Sequence, residues 1–144
     1  VSAATHNTKC AKYITKEQDG LKSDWFSKGI KTAFCNPGFS NLRYWVWKAR
    51  HETRRTPGSI AVVVSLISVS TDWFKLCDRD ATKIVFLNPR VNFDPPIGVK
   101  PSSNCRDNCL IVFGGKLDAE KHAAYSMWCW RKKKGVGRTM LWKP

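Results

Sequence analysis

The chain has 144 residues and carries 25 Lys and Arg against 11 Asp and Glu, a formal net charge of +14 with a pI near 9.8. That length suits one domain over 1–144, large enough to bury a core without help from a metal or a partner. The charge speaks to steering and association, not to fold, and points to an acidic protein surface or an anionic polymer, either nucleic acid or a sulfated glycan.

No apolar run reaches the ~18–20 residues that span a bilayer, so no transmembrane segment is expected. The first residue is Val1, which reads as a processed product with its signal peptide removed. Cys10, Cys35, Cys77, Cys105, Cys109 and Cys129 form an even set. Even numbers spread along a chain imply a disulfide framework, here with about 15 possible pairings, and hence secretion. A zinc site would need paired, closely spaced ligands, and Cys105 and Cys109 have no second pair. Neither metal nor cofactor is called for.

In chain order, residues 1–9 are small and polar and read as a flexible tail. Thr15-Lys16-Glu17-Gln18 has the capping-box form, and Phe26, Ile30 and Ala33 follow at helical spacing. One or two short helices are therefore expected between residues 15 and 34. Cys35-Asn36-Pro37-Gly38 reads as a turn.

Residues 42–49 alternate, with Arg43, Trp45, Trp47 and Ala49 on one side, and predict a strand with aromatic residues on both faces. Residues 50–58 form a basic loop closed by Pro57-Gly58. The β-branched run 60–69 is the strongest candidate for a central strand. Residues 71–77 extend the pairing after a bend, Asp78 to Asp80 make a turn, and 83–87 form another strand. The Pro-rich stretch 90–108 is a long connection that the cysteines would staple. Residues 110–113 are a strand ended by Gly114-Gly115.

The C-terminal segment from Tyr125 to Lys143 has two Trp-bearing apolar arms around a cationic tip. Residues 118–134 also fit one amphipathic helix closed by Gly135. Trp128-Cys129-Trp130 and the second apolar arm favour a hairpin. These elements sum to a mostly β (α+β) fold: a disulfide-stabilised β-barrel or β-sandwich of six or seven strands with one or two short N-terminal helices.

Arg131, Lys132, Lys133, Lys134 and Arg138, flanked by Trp128 and Trp130, form the leading binding face, because single-strand binders pair cations for the backbone with rings for stacking. Arg43, Lys48, Arg50, Arg54 and Arg55 form a second basic cluster around the Trp45 and Trp47 stretch, with Arg50, Arg54 and Arg55 as the secondary contacts. A solvated, edge-protecting tip explains the same residues without any ligand. His51, Glu52 and His122 supply the acid, base and cation chemistry of a metal-free ribonuclease, though a basic loop with His and Glu also arises by chance. No P-loop, Gly-rich dinucleotide pattern or nucleophile elbow is present.

The reading leans away from an enzyme. It favours a secreted, basic binding protein of effector or toxin type, which shares its composition with virulence factors. A metal-free ribonuclease and an interaction protein recognised through an apolar surface are the alternatives.

Overall fold

The computed structural model describes residues 10–92, 98, 100, 104–115 and 123–129. Five strands, β1 (Thr32–Cys35), β2 (Ile60–Leu66), β3 (Lys83–Asn88), β4 (Asn108–Gly114) and β5 (Ala124–Cys129), form one open sheet in the order β1-β2-β4-β3-β5. Strand β1 runs parallel to β2, and β3 runs parallel to β5. Only β4 is reversed, lying antiparallel between β2 and β3. Two α-helices, α1 (Leu42–Arg55) and α2 (Asp72–Asp80), supply the crossovers that parallel strands require.

The fold is thus a small α+β domain with an open mixed sheet, which corrects the expected barrel or sandwich. The largest error lies at residues 42–49, expected as a strand. Leu42, Val46, Ala49 and Thr53 are buried, at spacings of four, three and four, and that is one face of a helix. The aromatic residues that imitate a strand divide between the two sides of α1. Trp45 turns inward and stacks on Trp25 at 6.4 Å between centroids, while Trp47 is 60% exposed.

Residues 71–80 are also helical: Phe74 and Cys77 are buried, and the supposed turn at Asp78 to Asp80 is the last turn of α2. Near the start, Thr15 and Gln18 exchange capping-box bonds, with the Thr15 N–H donating to Gln18 Oε1 at 2.8 Å. No α-helix follows them. The segment forms turns and a single 3-10 turn at Ser27–Gly29.

The β2 run holds as an interior strand, and β3 and β4 lie where their apolar runs place them. Strand β5 gives extended backbone to the first of the two C-terminal arms, and it pairs with β3 in parallel. The second arm and residues 130–144 lie outside the described residues.

One sheet face carries Ala33 and Cys35, then Ala61 and Val63, then Cys109, Ile111 and Phe113, then Ile84. All are at most 7% exposed and register with one another across the strands. Helices α1 and α2 cover this face, and Arg50 of α1 reaches Asp80 of α2 at 2.6 Å. Each buried aliphatic side chain contributes about 1.5–3 kcal/mol.

No disulfide forms among the described cysteines. Cys10, Cys35, Cys77, Cys105 and Cys109 are free thiols. Cys35, Cys77 and Cys109 are fully buried and pack as small apolar residues between sheet and helices. Burial pushes the Cys35 and Cys109 thiols up to about 12. An even cysteine count reflects core packing here, and the expectation of secretion built on it falls. Among the described residues, no helix is long and apolar enough to cross a membrane.

Candidate active site at the carboxyl edge of the sheet

Because only β4 is reversed, the carboxyl ends of β1, β2, β3 and β5 share one edge. In open sheets of this kind ligands bind outside the carboxyl ends of the strands. Two features occupy that edge. The first is the segment Asn36-Pro37-Gly38-Phe39, which joins β1 to the 3-10 turn Phe39–Asn41 that leads into α1. The second is a cleft of about 660 Å³ bounded by Ile67 after β2, Asn88 to Arg90 around the end of β3, Asp107 before β4 and Met127 on β5. Its size lies within the range of small-molecule sites, roughly 300–1,000 Å³.

Chain geometry explains the first feature. Pro37 is buried and fixes the exit from β1, while Asn36 is exposed and its side chain has no hydrogen-bond partner among the described residues. Gly38 has φ −62° and ψ 134°, a backbone that any residue adopts. A Cβ built there meets nothing within 4 Å. The fold therefore does not require glycine at 38. Phe39, half-buried, stands beside it. From Cys35 to Leu42 no side chain is charged.

The cleft is more polar. Arg90 pairs with Asp107 at 2.7 Å, and Asn104 ties the strap between β3 and β4 by donating to Val91 O at 3.0 Å and to Asn108 Oδ1 at 2.5 Å. Asn88, Arg90 and Asn92 line this side of the cleft, with Arg90 held by Asp107 and Asn92 accepting the Asn104 N–H at 3.1 Å.

The residues nominated from sequence fall elsewhere. Arg50, Arg54 and Arg55 lie in the C-terminal half of α1, towards the opposite edge of the sheet. Arg50, Arg54 and Arg79 converge on Asp80, whose side chain is 9% exposed. Burial pushes the Asp80 carboxyl up, but Arg79 and Arg50 outweigh it and hold the group below the ordinary aspartate range. Arg55 pairs with Glu52 and Asp24. This basic cluster staples helices together.

His51 is exposed on α1, while Glu52 is buried against Lys48, Arg55 and the backbone of Trp25. The two adjacent residues face different surroundings. Trp128 is 51% exposed on β5. His122, Trp130, Arg131, Lys132, Lys133, Lys134 and Arg138 lie outside the described residues, as does the side chain of Cys129.

Asn36 and Phe39 were missed because Asn-Pro-Gly was read only as a turn. The signal was its setting, an Asn-Pro-Gly-Phe run leaving one strand and opening a helix.

The family model described as DNA N-6-adenine-methyltransferase (Dam) matches residues 1–140, so the chain belongs to that family. It is also 30% identical over 116 residues to a DNA N-6-adenine-methyltransferase of Haemophilus phage HP1 (strain HP1c1). That alignment covers 79% of this chain and 65% of the relative, so the chain spans just under two thirds of that protein. No solved structure matches the chain.

Family membership overturns the reading as a secreted effector or toxin, and with it the ribonuclease and apolar-interaction alternatives. Of the partners expected from charge, nucleic acid is the one the family supports. Nothing supports an acidic protein or a glycan.

Proposed function

We propose that this chain takes part in methyl transfer to the exocyclic N6 of adenine in DNA, with Asn36-Pro37-Gly38-Phe39 as the seat of the base. The observation that carries this reading is the family match over residues 1–140, together with an exposed, uncharged turn at the carboxyl edge of the sheet that sets the Asn36 amide beside the Phe39 ring. An adenine inside a duplex cannot be reached, so enzymes acting on it swing the nucleotide out into a pocket and stack it on a side chain. Phe39 supplies the ring, and Gly38 lets the base edge come down to the backbone.

The N6 amine is a poor nucleophile because its lone pair is delocalised into the ring. Acceptors aimed at its hydrogens localise that pair and stabilise the positive charge that develops as the new bond forms. The Asn36 side-chain carbonyl and the carbonyls of the turn are suitable acceptors. The absence of cations from Cys35 to Leu42 keeps that charge from being opposed.

The reaction also needs an electrophilic methyl group, which a sulfonium donor such as S-adenosylmethionine supplies. The Phe39 ring and the Asn36 carbonyl of this uncharged turn would suit the cationic end of such a donor. What the chain itself does is extract, stack and orient the base and hold the amine.

The test is incubation of the protein with oligonucleotides and methyl-labelled donor, followed by mass analysis of the nucleosides. The expected product is N6-methyladenine, and Asn36→Ala is expected to slow its formation about 10²–10³-fold. Equal rates in the variant, or label on any atom other than N6, would overturn the assignment.

A further inference from the structure

We propose that the outer face of the first half of α1, formed by Arg43, Tyr44 and Trp47, is a DNA-contact surface that holds the strand flanking the extruded adenine. The inference rests on the methyltransferase reading for the identity of its partner.

Three observations lead to it. Tyr44 and Trp47 are 46% and 60% exposed, although α1 has a well-buried inner face that could take aromatic rings. Single exposed rings are ordinary, but these two lie three residues apart on one stripe of a helix, and the first of them is held by a cation. The Arg43 guanidinium sits 4.6 Å from the centre of the Tyr44 ring and donates to the Tyr44 hydroxyl at 2.6 Å.

The charge pattern of α1 gives the second observation. Lys48, Arg50, Arg54 and Arg55 all pair with carboxylates, namely Glu52, Asp80 and Asp24. Arg43 has no carboxylate partner among the described residues, which leaves its charge available to an anion. Its hold on Tyr44 pre-orients the planar fork that suits phosphate.

Position gives the third. Arg43 is four residues beyond Phe39, so the patch begins one helical turn from the proposed base seat. From Arg43 to Trp47 is about 6 Å of helix axis, or roughly two nucleotides of one strand at 3.4 Å each. Extruding a base leaves its neighbour unstacked, and rings beside the seat can cover that exposed face or the adjoining sugar while Arg43 takes the phosphate.

The test is equilibrium binding of a labelled adenine-containing duplex over a range of salt concentrations, with wild type, Arg43→Ser, Trp47→Ala and Lys75→Ser. Lys75, 69% exposed on α2, controls for loss of one surface charge. All three sites are on exposed helix surface, and circular dichroism confirms that each variant is folded.

Arg43→Ser should make the slope of log K against log salt shallower by about 0.9, and Lys75→Ser should leave it unchanged. Trp47→Ala should weaken binding about 5-fold to 150-fold. Wild-type slope and affinity in both α1 variants, equal losses in Lys75→Ser, or no DNA binding by the wild type would each overturn the patch. Methyl transfer measured on the same samples reports separately on the base seat. Binding that depends on Arg43 without any methylation would uphold the patch and overturn the proposed reaction.

Discussion

The Glu52 carboxylate, in the third turn of α1, accepts the backbone N–H of Trp25 at 3.1 Å across 27 residues of sequence. Glu52 is 1% exposed, and its other partners are Lys48 at 2.8 Å and Arg55 at 3.0 Å. A single buried acid thus ties the segment before β1 to the helix after it. Trp25 is fixed further by its indole N–H, which donates to Gly20 O at 2.7 Å, and by its stacking on Trp45.

Replacing Glu52 by Ala should cost about 3–5 kcal/mol, because Lys48 and the Trp25 amide lose their shared partner in a buried setting. Urea denaturation measures this. Acid should produce the same loss. Burial pushes the Glu52 carboxyl up, but Lys48, the Trp25 N–H and Arg55 together hold it below the ordinary glutamate range. Folding therefore lowers its pKa, so its contribution is complete above the ordinary value of about 4.3 and disappears as pH falls through the lower folded value. In Glu52→Gln that part of the acid dependence should vanish.

The five described thiols should divide into two classes. Cys10 and Cys105 are exposed and should react promptly with a thiol reagent in native protein. Cys35, Cys77 and Cys109 should react only on unfolding, because burial keeps them protonated and out of reach. Prompt labelling of all five, or a non-reducing digest that links any two of them, would contradict the packing described for the sheet.

Gly114 ends β4 with φ 84°, and a Cβ there would run into the backbone carbonyl oxygen of Ser59. The Gly114 carbonyl also accepts from Thr82 Oγ1 at 2.6 Å. Gly114→Ala should therefore cost at least about 1–3 kcal/mol, read as a lower urea midpoint. Gly38→Ala should leave that midpoint nearly unchanged, because its backbone is ordinary and the space beside it is open. If position 38 seats a base, that variant should still lose methyl transfer.

Phe39 offers a binding test of base extrusion. With 2-aminopurine in place of the target adenine, association should brighten its fluorescence as the base leaves the stack. Phe39→Ala should weaken binding by about 1–3 kcal/mol and dim that signal, whereas Phe39→Tyr, which keeps the ring, should preserve both. An unchanged signal in Phe39→Ala would remove the ring from the pocket.

Much of the sheet could be read from the chain. The β-branched run at Ile60–Leu66 and the apolar runs at Lys83–Asn88 and Asn108–Gly114 are strands because such residues suit a buried pleated surface. What failed was period. Tyr44-Trp45-Val46-Trp47 has strong strand propensity, yet Leu42, Val46, Ala49 and Thr53 mark a helix, and tertiary burial decided for the helix. Reading α1 and α2 as strands hid the alternation of strand and helix that distinguishes an open crossover sheet from a barrel.

The cysteines misled for a different reason. Parity cannot separate bridged thiols from small core residues, and Cys35, Cys77 and Cys109 belong to the second kind. Net charge left several polyanions open, and family membership favours nucleic acid among them. The proposed base seat was not read because the helix after Asn36-Pro37-Gly38-Phe39 was taken for a strand, and only the sheet topology puts that run at the carboxyl edge.

The reversed strand β4 has a consequence for assembly. It is fourth in sequence but central in space, so β1-β2 on one side and β3-β5 on the other share no ladder until it slides between them. Residues from the last third of the chain thus act as a keystone for the first two thirds. A nascent chain that stops short of Asn108 would hold the β1-β2 ribbon and an unpaired β3, and completion must await a distant closure of the kind that makes folding slow.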